Sequence, residues 1–315
     1  MNGGRERTRW RPVDGVLLLD KAAGVTSNAE LQAARRRYRA AKAGHTGTLD
    51  PLATGLLPVL FGEATKFGGE LLEADKTYAA AITLGATTTT GDAEGEVVER
   101  REVMAARAEV ERVLAGLRGE SAQVPPMYSA LKRDGRPLYE YARAGLTVDR
   151  PARPIRIDEL TLDAFEGTRL SVTVRCSKGT YIRVLAEDIG RSLGCGAHLA
   201  QLRRLAIGPF SVADALTVDA LGLLDAGARD ARLLALDALV GHLPAISLGE
   251  AAAGQFAQGA ATESPGRAVG RTRVYGPDGA FLGLGVAGAD GRLRPRRLLR
   301  TGDAAASCVA VPKTL

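Results

Sequence analysis

The alternation of apolar and polar side chains lays out the elements of this chain before any chemistry is considered. Val16–Asp20 is a short apolar run that predicts a strand. Ser27, with Glu30 three residues later, forms a capping box ahead of a helix over Ala29–Ala40. From Lys76 to Leu84 the side chains alternate, with Tyr78, Ala80, Ile82 and Leu84 on one face, which predicts a half-buried strand. Met104–Leu117 reads as a helix that closes near Gly119. Ser171–Cys176 alternates again, and after a tight Ser177-Lys178-Gly179 turn Ile182, Leu185, Ile189 and Leu193 recur at helical spacing up to Gly194.

Three stretches break these periods. Gly44–Pro58 carries Gly44, Gly47, Gly55, Pro51 and Pro58, so it reads as a loop. The segment from Gln123 to about residue 150 mixes prolines and tyrosines with basic residues and reads as an insertion or flap. Beyond residue 245 small residues dominate, and Gly276-Pro277-Asp278-Gly279 and Gly288-Ala289-Asp290-Gly291 separate short strand-like runs, which predicts a small all-β domain. Helices and strands are mixed before that point without regular βαβ alternation, and no dinucleotide or P-loop glycine fingerprint is present, so the larger part is expected to be α+β. The expected organisation is a disordered basic tail over 1–12, a main domain over 13–245 with its insertion at about 123–150, and a second domain over 246–315.

A length of 315 residues agrees with two domains at roughly 100–200 residues each. The 45% hydrophobic and 25% charged composition excludes disorder throughout, collagen-like repeats and a disulfide scaffold. Cys176, Cys195 and Cys308 stand far apart, which excludes a zinc cluster and fits a reducing, cytoplasmic compartment. No apolar run approaches the ~20 residues needed to span a bilayer, so no membrane association is expected. Lys plus Arg exceed Asp plus Glu by six, a balance that permits a polyanionic partner. Two basic runs could neutralise phosphates: Arg35, Arg36, Arg37, Arg39 and Lys42 around Tyr38, and Arg292, Arg294, Arg296, Arg297 and Arg300; each reads equally as a solvated face.

The candidate chemistry lies in Gly44-His45-Thr46-Gly47-Thr48-Leu49-Asp50-Pro51-Leu52-Ala53-Thr54-Gly55-Leu56-Leu57. Pro51 biases Asp50 toward extended backbone and the glycines allow close approach, so a carboxylate could be held in one direction as a nucleophile. Asp-Pro is also a common turn pair. Tyr78 sits on the apolar face of its strand, where an edge-of-core aromatic would sit as well. Arg183 opens its helix, with Glu187 and Arg191 following at the spacing of a solvated ion-pair stripe.

The whole glycine-rich segment resembles the catalytic loop of the TruB-type tRNA pseudouridine synthases, with its aspartate at Asp50. Further matches occur in order: Lys21-Ala22-Ala23-Gly24-Val25-Thr26-Ser27-Asn28, Lys76-Thr77-Tyr78, Thr90-Gly91-Asp92-Ala93-Glu94-Gly95, the thumb-like Gln123-Val124-Pro125-Pro126-Met127-Tyr128-Ser129-Ala130-Leu131-Lys132, and Cys176-Ser177-Lys178-Gly179-Thr180-Tyr181-Ile182-Arg183. Gly279–Gly285 with Arg292–Pro295 resembles, more loosely, the PUA domain that ends this family.

The resemblance implies an α+β fold: a mixed-sheet pseudouridine synthase catalytic domain with an inserted thumb, then a small C-terminal β-barrel, PUA-like domain. It implies isomerisation of uridine to pseudouridine at position 55 in the T loop of tRNA, with no cofactor and no metal. Asp50 would be the nucleophile toward ribose C1′ or base C6, Tyr78 would lie against the flipped uracil, and Arg183 would pair with Asp50 and lower its pKa. Tyr181 and Leu202 would line the uracil pocket, Asp92 would approach the flipped nucleotide, His45 would stack into the gap it leaves, and Lys21 would support the loop or bind phosphate. The implied partner is tRNA through its T arm, with no obligatory protein partner and a monomeric state. An RNA-folding protein with incidental catalysis and a guide-dependent synthase acting on ribosomal RNA are the alternative readings.

Overall fold

A computed structural model describes residues 10–266 and 269–300. Its main feature is a nine-stranded mixed sheet. Seven strands follow one another across it in the order Gly15–Lys21, Thr54–Phe61, Ala197–Ile207, Lys76–Leu84, Arg169–Cys176, Arg153–Glu166 and Gly119–Gln123. Ala43–His45 pairs with Thr54–Phe61, and Phe210–Ser211 with Ala197–Ile207. All of these neighbours are antiparallel except Thr54–Phe61 beside Ala197–Ile207. At that one parallel contact Gly55 adopts φ +100°, and a Cβ there would lie 2.3 Å from the Arg204 carbonyl oxygen. Only glycine lets the two backbones come this close.

The Lys76–Leu84 strand lies where its alternation predicts, with Ala80, Ile82 and Leu84 buried against Val172, Val174, Leu185 and Ile189. The Ile182–Ser192 helix buries Ile182, Leu185 and Ile189 on the same side. The Gly44–Pro58 stretch departs from its loop expectation. Thr54–Phe61 is a strand despite Gly55 and Pro58, because its partners on both sides supply the pairing, and the loop shrinks to residues 46–53. The helix expected over Met104–Leu117 begins only at Arg107, and Met104 is exposed.

The expected thumb leaves the sheet at Gln123 and re-enters it at Arg153. It holds a two-residue hairpin, Lys132–Arg133 with Arg136–Pro137, and the short helix Leu138–Arg143. The hairpin turns at Asp134-Gly135, both at positive φ, as a two-residue turn between twisted strands requires.

The C-terminal region forms a curled five-stranded sheet, a half-barrel, in the order Ala245–Ser247, Gly270–Tyr275, Phe281–Ala287, Arg292–Leu298 and Thr262–Glu263. It is not all-β: the helix Glu250–Ala257 buries Phe256 against Val274 and Leu293. Phe281 and Leu284 of this sheet share a core with Leu56 and Leu60 of the larger one and with Phe67 and Leu71 of the helical stretch Gly62–Glu73. At the other end the chain is anchored by Arg11, whose Nε donates to the Tyr38 carbonyl at 3.0 Å, so this part of the expected 1–12 tail is held; residues 1–9 and 301–315, with Cys308, lie outside the described residues. Among the described residues no helix is long and apolar enough to cross a membrane.

Candidate active site

The loop 46–53 is fixed from both sides of Asp50. Ser27 Oγ donates to the Leu49 carbonyl at 2.9 Å and accepts from the Leu49 N–H at 2.8 Å, holding both polar groups of the residue before Asp50. Lys21 Nζ donates to the Pro51 carbonyl after it at 3.2 Å, and to those of Ala22 and Val25 at 2.8 and 2.6 Å. From the sheet below, Arg204 Nη2 donates to Gly47 O at 2.8 Å and Nε to Leu56 O at 2.7 Å. Ser27 is free for this because the cap of the Ser27–Tyr38 helix is Thr26, whose side chain accepts from the Ala29 N–H. The capping-box expectation is therefore corrected by one residue, and Glu30 accepts from the Ala22 N–H instead.

Arg183 reaches the same point from the first turn of its helix. Its guanidinium lies 3.0 Å from Asp50 Oδ2 and 3.6 Å from Asp92 Oδ2, and donates to the carbonyls of Thr90 and Tyr128 at 3.1 and 2.6 Å. Its side chain is 5% exposed and that of Asp50 is 40%. The solvated stripe is not formed, since Arg191 pairs with Asp188 and Arg183 turns inward. Arg183 does pull the Asp50 pKa down, but loss of water around the carboxylate outweighs it and Asp92 adds to the rise, so the net shift is upward.

Two cavities meet at Asp50 and Arg183. The inner one, about 580 Å³, is walled by Tyr78, Tyr181, Leu202, Lys76 and Arg204. The outer one, about 520 Å³, is lined by His45, Asp92, Glu94, Tyr128, Tyr139 and Arg143. The thumb residues Ser129 and Ala130 border both. Tyr78, Tyr181 and Leu202 thus lie together, as do His45 and Asp92, although strand, turn and helix bring them from distant parts of the chain. Burial raises the Tyr78 hydroxyl pKa while the Arg204 guanidinium opposes it. Burial lowers the His45 pKa, and its Nδ1 has no hydrogen-bond partner. Lys21 lines neither cavity; fully buried with three carbonyl acceptors, it matches the loop-supporting role and not the phosphate-binding one.

Sequence reasoning missed three residues. Ser27 stands in the motif, where its spacing to Glu30 predicts a cap and not a brace of the loop. Gln123 lies at the base of the thumb, where its amide accepts from the Tyr181 N–H at 2.8 Å and donates to the Tyr181 carbonyl at 3.2 Å, a side chain acting as a strand partner. Arg204 is fully buried behind Tyr78; nothing in the sequence separates it from Arg203, which pairs outward with Asp20 at 2.7 Å. Tyr38, set among arginines, is core: it stacks on Phe61 with ring centroids 4.9 Å apart.

The chain matches the TruB family pseudouridylate synthase N-terminal domain over residues 35–182, the tRNA pseudouridylate synthase B C-terminal domain over 183–241, and the C-terminal domain of pseudouridine synthase II TruB over 244–299. It is 56% identical to the tRNA pseudouridine synthase B of Aromatoleum aromaticum over 295 residues, covering 94% of this chain and 96% of that one. It is 53% identical to the tRNA pseudouridine synthase B of Burkholderia mallei over 305 residues, 95% and 98% of the two chains. Among solved structures it resembles a chain of the archaeal box H/ACA sRNP Nop10–Cbf5 complex, with a TM-score of 0.69 at 24% identity over 91% of this chain and 87% of that one, a likeness of fold. Identity at this level along nearly the whole length, with the motifs gathered around one carboxylate, means that the chain belongs to the TruB family of pseudouridylate synthases.

Proposed function

We propose that the chain isomerises uridine to pseudouridine at position 55 in the T loop of tRNA, acting on the T arm as a cytoplasmic monomer without guide RNA or protein partner. The observation that carries this reading is the placement of Asp50, held on a braced loop, paired with Arg183 at 3.0 Å, and set at the mouth of a cavity whose walls are Tyr78, Tyr181 and Leu202. A flipped uracil would enter the inner cavity between those side chains, leaving its ribose beside Asp50. Asp50 attacks C1′ and displaces N1, or adds to C6 before the N1–C1′ bond breaks; the base turns within the cavity, C5 bonds to C1′, the bond to Asp50 breaks to regenerate its carboxylate, and the C5 proton leaves through Tyr78 or water while N1 gains one. The thumb residues that border both cavities keep water from the detached base. A glycosidase working by paired carboxylates would need a second acid across the bond, and the inner cavity is lined by one carboxylate, Asp50. His45 and Asp92 in the outer cavity would receive the nucleotides around the gap, and residues 246–315 would form an RNA-binding unit.

The test is release of tritium from C5 of uridine in a T-arm hairpin incubated with the purified chain alone. Release by the wild type and none by Asp50→Asn is the expected outcome. Binding without release by the wild type would overturn the reading in favour of an RNA-folding or guide-dependent protein.

A further inference from the structure

The two cavities that meet at Asp50 have opposite electrostatic character. The outer cavity places Asp50, Asp92 and Glu94 against Arg143 and Arg183. In the inner cavity Asp50 is the one carboxylate in the lining, facing three cations: Lys76, Arg183 and Arg204. These three are not equally free. Arg183 is engaged by Asp50 and Asp92. Lys76 directs its ammonium into the carbonyls of Leu71, Leu72 and Ala74 at 3.2, 2.8 and 2.5 Å, and its pKa is lowered to about 8. Arg204 forms no ion pair with any carboxylate among the described residues. Its Nε and Nη2 hold Leu56 and Gly47 carbonyls, both neutral, and its guanidinium stands against the cavity wall beside Tyr78.

A buried guanidinium without a counter-ion is costly. It stays charged, since arginine does not give up its proton in a folded protein. Such a group is retained at a cavity where negative charge appears during the reaction. Resting on the isomerase reading above, we propose that Arg204 is the cation that stabilises the negative charge developed on the uracil ring, a role separate from that of Arg183, which holds Asp50. The electron count requires such a group by either route. When the N1–C1′ bond breaks with its pair left on the base, the charge spreads over N1, O2 and O4. When Asp50 instead adds to C6, the C5=C6 pair moves through C4 onto O4. In both cases a carbonyl oxygen of the base gains charge inside the inner cavity; that charge is consumed when C5 bonds to C1′, Asp50 leaves C1′ or C6 with its electron pair, and the later loss of the C5 proton is matched by protonation of N1.

The experiment compares wild type, Arg204→Lys and Arg204→Gln in single-turnover reactions on a T-arm hairpin carrying either uridine or 5-fluorouridine, with hairpin affinity and thermal unfolding measured for each. The readout for both substrates is consumption of the target nucleotide. Fluorine at C5 withdraws charge from the ring, so the base anion needs the cation less. Arg204→Gln is expected to slow the uridine reaction about 100-fold, the scale of one lost charge-stabilising donor. Its hairpin affinity is expected to stay within about threefold of wild type, its deficit to shrink at least about tenfold on 5-fluorouridine, and Arg204→Lys to recover part of the rate. Equal deficits on both substrates, or a Lys variant no better than Gln, would overturn the proposal and leave Arg204 a brace of the loop. Should Arg204→Gln not fold, the comparison of the two substrates in Arg204→Lys decides the same question. Failure of the isomerase reading itself would show differently, as absence of wild-type turnover.

Discussion

At the scale of single residues, Asp50 is set between opposing forces. A carboxylate taken from water resists ionisation, and the adjacent Arg183 restores only part of what is lost, so its pKa sits above the ordinary 3.8. The nucleophile must be ionised, and an elevated pKa brings its protonation nearer to neutrality. We therefore expect kcat/KM on a T-arm hairpin to fall with decreasing pH, with a midpoint above 3.8, and the midpoint to rise further in Arg183→Gln, which removes the largest opposing charge. A pH profile of single-turnover rates checks this; an acid limb at or below 3.8 in wild type would contradict it. Ser27 and Lys21 belong to the same scale. Lys21 lines neither cavity and Ser27 only the outer one, yet each fixes a backbone neighbour of Asp50, so the carboxylate is aimed by bonds made one residue away from it.

At the scale of elements, the decisive junction is the parallel contact of Thr54–Phe61 with Ala197–Ile207, because it sets Arg204 beneath the Asp50 loop. Gly55 makes the contact, with left-handed φ and no room for a Cβ. Gly55→Ala combines the penalty of that conformation, about 1–2 kcal/mol, with overpacking of about 1–3 kcal/mol. Gly24→Ala, at φ +77° with nothing within 4 Å of its Cβ, carries the first penalty alone. Urea unfolding should separate the two variants, and equal midpoints would show that the close approach is dispensable. This element also marks what the sequence can tell. Lys76–Leu84 and Ile182–Ser192 were legible because one period governs each buried face. The strand at Thr54 was hidden by its glycine and proline, whose tolerance depends on partners far along the chain. Thr26 and Ser27 are both good caps, and only the contact of Ser27 with Leu49 decides between them. Asp50, Tyr78 and Arg183 could be named from motif order. Arg204 could not, since an arginine pair in a strand reads as surface until the sheet shows which one points inward.

At the scale of the whole molecule, the half-barrel is not an appendage. Phe281 stacks near Phe67 with ring centroids 5.5 Å apart, Lys66 Nζ donates to the Leu298 carbonyl at 2.9 Å, Arg271 pairs with Glu70, and the Tyr275 hydroxyl donates to Asp237 at 2.8 Å. All but the last of these fall on the Gly62–Glu73 stretch that leads into Lys76 and Tyr78, and Leu72 from the same stretch lines the inner cavity. The C-terminal sheet therefore braces one wall of the proposed base pocket. Removing the ring at Phe281 takes away a side chain that is 5% exposed and shared by both sheets. Phe281→Ala should then cost about 3–5 kcal/mol. The loss should appear as one cooperative transition at lower temperature, with faster hydrogen exchange in the Lys76–Leu84 strand as well as in the half-barrel, because a shared core cannot be loosened on one side only. Two resolved transitions with exchange in the Tyr78 strand unchanged would mean that the sheets unfold independently, and that the base pocket stands without its C-terminal support.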